Sequence, residues 1–276
     1  MTDLAESIET ELNQALADDT LELPSLPEVA LRIRDTAQHP DVTAQALANV
    51  VAQDPGLAAR MIQVANSPLY RASRPIDALP LAISRMGVEF AANLATGIAM
   101  QQMFQATTDV VDKTLRRYWQ QATEVAAISA VLARHFTRLR PDIASLAGLT
   151  HVVGVLPILS WAEEHPAVLG DSLTLNRVID RCQGPLGSAI LTRWGFPEEV
   201  ARVPNRYRDF KRRSTGADYV DVVTVAYLES LVGTGHPDTQ LDWHAIPAFN
   251  SLGIDPDGAT AAVGGEIGEA RAAFAA

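Results

Sequence analysis

The chain has 276 residues, is 47% hydrophobic and 20% charged, and carries a formal net charge of −11. That apolar content supports a sizeable core in one large or two small domains and excludes wholesale disorder. The acidity opposes general affinity for nucleic-acid phosphates, and a single cysteine, Cys182, excludes a disulfide framework or a zinc ribbon.

The first residues, MTDLAESIETELNQ, are acidic and amphipathic, without the basic start and apolar core of a signal peptide. No apolar run reaches the roughly 18 residues needed to span a bilayer; the longest candidate is 152–159. A cytoplasmic protein with no membrane segment is the expectation. Strand signals are scarce, and alanine, leucine, glutamate and glutamine dominate, which predicts an all-α fold.

Prolines punctuate the first third, at Pro24, Pro27, Pro40, Pro55, Pro68, Pro75 and Pro80, and are then absent until Pro141. Short helices therefore precede long ones. Ser25 is the expected cap of a helix with Pro27 in its first turn and Glu28 completing a capping box. Asp41 or Thr43 opens the next helix. Asp54-Pro55 opens another, with Leu57, Met61 and Val64 on one face and a stop at Asn66-Ser67-Pro68. Asp77 starts a helix ending at Gly87, and 88–104 reads as a long, largely buried one.

From about Asp109 an amphipathic helix presents Val125, Ile128, Leu132 and Phe136 to a core. Asp142 starts an apolar helix through His151. Separate helices are expected over 176–181, 185–194, 198–210 and 217–232, with Cys182 as a small residue at a helix end. The Gly- and Ala-rich tail after Asp255 is expected to fray.

Several separated elements resemble the HDOD domain, a helical relative of the HD phosphohydrolases. The segment LPSLPEVALRIRDTAQHPDVTAQALANVVAQDPGLAARMIQVANSPLY (23–70) carries the Leu-Pro-x-Leu-Pro start, the Gln53-Asp54-Pro55 turn, Arg60 and Ala65-Asn66-Ser67. It is followed by IDALPLAISRMGVEFAANLATG (76–97), Tyr118-Trp119, the approach Ala147-Gly148-Leu149 to His151, and PLGSAILTRWGFP (185–197). The resemblance implies an N-terminal extension over 1–20, an HDOD domain over 21–235 and a C-terminal extension over 236–276. Within the domain it implies an N-terminal lobe over about 21–107 and a degenerate HD-like lobe over about 108–235.

HD hydrolases gather histidines and aspartates on one or two metals, which acidify a bound water. The resemblance places the first histidine at Gln121, the His-Asp pair at His151-Val152, and a further histidine at Gln183. A double histidine falls near Arg206-Tyr207, and the last aspartate at Tyr227. Valine offers no lone pair, amides are weak neutral ligands and a guanidinium repels a cation, so one imidazole survives. The expectation is no metal, no cofactor and no catalysis, with His151 a core histidine bonded to a backbone carbonyl.

The resemblance instead implies a bacterial signalling module that binds a protein or small ligand, in circuits of the cyclic-dinucleotide, motility, biofilm or stress kind. The vacated cleft between the two lobes is the candidate pocket, with Trp194 on its lining. Asp54, Arg60, Asn66 and Tyr70 are candidate interaction residues, whose plainer roles are helix cap, surface salt bridge, turn former and packing aromatic. Arg206 and Arg208 are further candidates within the basic run Arg202, Arg206, Arg208, Lys211, Arg212 and Arg213, otherwise a solvated helix end. Two alternatives stand beside this reading: a phosphohydrolase with displaced ligands, and nucleic-acid binding through the basic run.

Overall fold

A computed structural model describes residues 4–67, 75–258 and 263–275. It is all-α: among the described residues there is no strand. Helix α1 (Leu4–Ala17) buries Ala5, Ile8 and Leu12, one face at helical spacing. Five helices follow as the first lobe: α2 (Glu28–Ala37), α3 (Ala44–Val51), α4 (Pro55–Ala65), α5 (Leu79–Met86) and α6 (Val88–Ala99). α2 packs on α3 and α6, and α5 packs on α3 and α4.

The starts follow local capping chemistry, with two departures. Thr43 caps α3 by accepting from Ala46 N, and Asp54 caps α4 by accepting from Leu57 N, with Pro55 in the first turn. Ser25 caps nothing: Pro27 itself occupies the N-cap position of α2, and no side chain bonds there. Likewise α5 begins at Leu79 rather than near Asp77, because Pro80 sits in its first turn and sets the entry.

The second lobe is organised around the long helix α7 (Asp109–Phe136), whose Val125, Ile128 and Leu132 are fully buried. It packs against α8 (Pro141–Thr150), α9 (Val155–Glu163) and α14 (Tyr219–Ser230). The α7–α8 crossing depends on Gly148, where a Cβ would lie 2.6 Å from Ala126 Cα. By length and composition, Pro141–Glu163 is apolar enough to cross a membrane, contrary to the sequence expectation. It is α8 and α9 joined by a turn, 89% of its most apolar window is buried, and it serves as the inner core of the lobe.

Helix α10 (Pro166–Leu169) leads into α11 (Ser172–Arg193), which runs unbroken through Pro185, where two helices were expected. The reason is tertiary. A Cβ on Gly154 would stand 1.9 Å from the Gln183 carbonyl, and one on Gly187 would stand 2.7 Å from Pro204 Cβ. The Gly154 backbone on one side and the Pro204 ring on the other thus clasp the 183–187 turn and hold it helical. The segment expected as one helix over 198–210 is split into α12 (Glu198–Ala201) and α13 (Val203–Arg206), with Pro204 in the first turn of the second.

The two ends close onto this frame. α1 packs on α11 of the second lobe. After α15 (Pro247–Leu252), the tail expected to fray forms α16 (Gly264–Ala275), which packs on α7 and α4 and buries Ile267, Ala270 and Phe274. Small buried side chains such as Ala270 and Ala273 lie on its packed face, and this burial supplies the order its composition does not suggest.

Candidate functional site

A cleft of about 610 Å³ opens in the second lobe between α7, α11, α14 and the segment 230–236. Four of the positions matched to metal ligands line it: Gln121 from α7, Gln183 from α11, Tyr207 after α13 and Tyr227 from α14. Arg208 stands beside them on the wall. The helices thus bring together most of what the sequence singled out, but wholly inside the second lobe. The expected position between the lobes is corrected: the lobe junction holds a different, smaller cavity.

His151 lies beneath this wall, fully buried, at the C-cap of α8. Its Nδ1 is 2.6 Å from the Gly148 carbonyl oxygen. A carbonyl only accepts, so Nδ1 carries the proton, and Nε2 is left as a buried acceptor without a partner. Burial pushes the imidazole down to about 4, against the opposing pull of the Gly148 bond. It is therefore neutral at physiological pH. The Tyr207 ring meets it edge-on at 4.9 Å, and Tyr207 in turn meets Tyr227 edge-on at 5.1 Å. Val152, 1% exposed, belongs to the apolar core and does not line the cleft.

The cleft balances its own polarity. Gln183 Nε2 donates to the Tyr207 hydroxyl at 3.4 Å, while Gln183 Oε1 is buried without a partner. The Tyr227 hydroxyl donates to Asp238 at 2.8 Å. Arg208 pairs with Asp180 at 2.6 Å and Asp238 at 3.4 Å, and lies 5.9 Å from the Tyr227 ring. Burial raises the phenols of Tyr207 and Tyr227 further above their ordinary value, so both stay protonated donors.

This donor set does not fit a divalent metal. It offers one occluded imidazole, neutral amides and protonated phenols, where stable coordination needs several anionic or imidazole donors on one point. Among the described residues, the one group of three His, Cys, Asp or Glu side chains with ligand atoms in mutual reach is His244, Asp255 and Asp257, exposed near the C-terminus and away from the cleft.

The other singled-out residues take structural places. Asp54 is the α4 cap and also accepts from Gln102 at 2.9 Å. Arg60 is no surface salt bridge: it donates to Gln101 and, at 2.8 Å, to the Phe274 carbonyl of α16. Asn66 exchanges two bonds with the Ile76 backbone, at 2.6 and 2.7 Å, closing the turn after α4. Tyr70 lies outside the described residues. Trp194 does not line the cleft; its indole donates to the Pro24 carbonyl at 3.0 Å, joining the chain ahead of α2 to the end of α11.

Arg206 also stands off the cleft, exposed and 3.9 Å from Asp209. The side chain that reaches the cleft from that short helix is its neighbour Tyr207. Much of the basic run is neutralised: Arg202 and Arg212 both pair with Asp218, and Arg212 with Asp221. Cys182 is mid-helix and buried, not at a helix end, and burial pushes its thiol up to about 11.

An all-helical second lobe with an HD-type cleft, preceded by a five-helix lobe, defines the class. The HDOD domain family matches residues 23–209, and the chain belongs to that family. A Shewanella amazonensis SB2B structure, named as a candidate metal-dependent phosphohydrolase, is 27% identical over 98% of this chain and 99% of its own, with a TM-score of 0.79. An HDOD domain protein of unknown function from Geobacter sulfurreducens is 24% identical over 96% of this chain and 98% of its own, with a TM-score of 0.66. A Marinobacter aquaeolei VT8 structure, named as a candidate signal transduction protein, is 22% identical over 99% of this chain and 67% of its own, with a TM-score of 0.63. These last two share the fold. An uncharacterized protein of Treponema pallidum (strain Nichols) is 24% identical over 202 residues; the match spans 69% of this chain but 38% of that relative's length.

Proposed function

We propose that this chain is a non-catalytic regulatory module of signal transduction, acting in the cytoplasm by binding a small polar ligand or a partner protein. The observation that carries the reading is the chemistry of the cleft. Gln121, Gln183, Tyr207 and Tyr227 converge there as hydrogen-bonding groups, and the remaining histidine is sealed beneath Tyr207. Gln183 Oε1, buried and unpartnered, is an acceptor for a ligand N–H or O–H. Arg208 already has two carboxylates, so its charge is spent within the protein. The pairing of Arg202 and Arg212 with Asp218 likewise speaks against nucleic acid as the partner.

Metal analysis of the purified protein, together with a phosphodiesterase assay on generic substrates, tests the reading. It expects no stoichiometric transition metal and no turnover. Stoichiometric metal that disappears in His151→Ala would overturn it. The second reading, a phosphohydrolase with displaced ligands, is favoured by the name of the 27%-identical Shewanella structure; it predicts that metal and a turnover that falls with its removal.

A further inference from the structure

The lobe junction holds a cavity of about 220 Å³, separate from the cleft. One wall comes from α2 and α6 of the first lobe, the other from α8 and residues 196–200 of the second. Two guanidiniums line it, Arg34 and Arg140, in different circumstances. Arg140 is compensated, by Glu89 at 2.9 Å and by Asp142 at 2.6 Å. Asp142 is buried and held in place by the Asn93 amide at 2.8 Å.

Arg34 has no ion-pair partner among the described residues. Its Nη1 donates to the Trp194 carbonyl at 2.6 Å and its Nη2 to the Gly195 carbonyl at 2.8 Å. Its guanidinium lies 4.4 Å from the Phe196 ring centre. Carbonyls and a ring face orient a cation without neutralising it. Burial accordingly lowers the Arg34 pKa, with only the adjacent Asp35 acting the other way. Two bonds also leave three of the five guanidinium N–H groups unused.

A second, independent sign lies on the same wall. Thr96 lines the cavity at 1% exposure, and its hydroxyl has no hydrogen-bond partner. A buried hydroxyl left unpaired costs free energy, and native proteins tolerate few of them.

The geometry points to a binding site for a compact oxyanion, a carboxylate or a phosphate, gripped by Arg34 with help from Arg140 and the Thr96 hydroxyl, and joining the two lobes through the ligand. The Glu89 carboxylate, 75% exposed, gives up its rim pair with Arg140 as the anion enters. Because both lobes supply donors, occupancy opposes their separation. This is a regulatory input distinct from the second-lobe cleft and independent of what the cleft binds.

Calorimetric titration and thermal unfolding of the full chain, with inorganic phosphate or succinate against chloride at equal ionic strength, test the site. Saturable binding of either anion with a raised Tm is expected, and which of the two binds names the source. Arg34→Gln is expected to weaken binding about 10-fold or more, and Thr96→Val about 5-fold. Since the Thr96 hydroxyl has no protein partner, Thr96→Val leaves the unliganded Tm unchanged and decides the question if Arg34→Gln fails to fold. Gln183→Leu, in the cleft, leaves anion binding intact. No saturable binding beyond the chloride effect overturns the site. So does binding that Arg34→Gln leaves untouched, or that Gln183→Leu abolishes.

Discussion

In the second-lobe cleft Arg208 faces Asp180 and Asp238, and Tyr227 donates to the same Asp238. At the lobe junction Arg34 faces two carbonyls and a phenyl ring. In the cleft Arg208 meets its own counter-charges beside amides and phenols; at the junction Arg34 is a cation whose charge nothing in contact cancels. They also differ in construction. The cleft is positioned by backbone laid on backbone, at Gly154 against Gln183 and Gly148 against Ala126, while the junction combines the packing of α6 on α8 with ties made by two side chains, Arg34 and Trp194. The first is built for a fixed shape.

The most severe test of that contrast is Gly154→Ala. The new methyl meets the Gln183 carbonyl, so α9 and α11 must part, with an expected loss of about 3 kcal/mol or more in urea unfolding. A loss below about 1 kcal/mol would show that backbone apposition does not set the cleft.

Next comes pH. The unfolded imidazole takes up its proton near 6.5 and the folded His151 only at about 4. Between those values the unfolded state binds the extra proton, so stability present above pH 6.5 is lost as pH falls towards 4. The full span is worth about 3 kcal/mol as an upper figure. His151→Asn keeps a donor for the Gly148 carbonyl and removes the titration, so its unfolding free energy should be flatter across the same window; a wild-type-like slope would assign the titration elsewhere.

Smaller effects separate the two arginines. Arg208→Met takes the shared cation from Asp180 and Asp238 and is expected to cost about 2 kcal/mol. Arg34→Met leaves only carbonyls behind and is expected to cost about 1 kcal/mol. Reversal of that order in denaturant titrations would break the charge-balance contrast. Smallest of all is Ser129→Ala on α7. Ser129 is fully buried and its hydroxyl is unpartnered, so the change should fall within about 0.5 kcal/mol of wild type or slightly stabilise.

Much of the fold was legible where the signal is local. Asp54 and Thr43 cap their helices because a short polar side chain reaches the free N–H groups of the next turn. Val125, Ile128 and Leu132 share a face because the helical period puts them there. The site was legible in part. Gln121, Gln183 and Tyr227 do meet at one cleft, but Arg206 was one residue off the inward face, and Trp194 belongs to the lobe contact. Arg34 and Thr96 carried no signal at all, since nothing in the sequence distinguishes an arginine without a carboxylate partner from one with it.

The sequence by itself determined an all-α chain, its HDOD character, most helix starts and the residues around His151, because periodicity, capping and motif order act over a few residues. Only the tertiary structure decided that α11 passes through Pro185, that an Ala- and Gly-rich tail is an ordered helix on α7, and that Pro141–Glu163 is inner core. It alone separated the cleft from the lobe junction. Each of these depends on what packs against a segment from far along the chain, and local propensity carries no record of that neighbour.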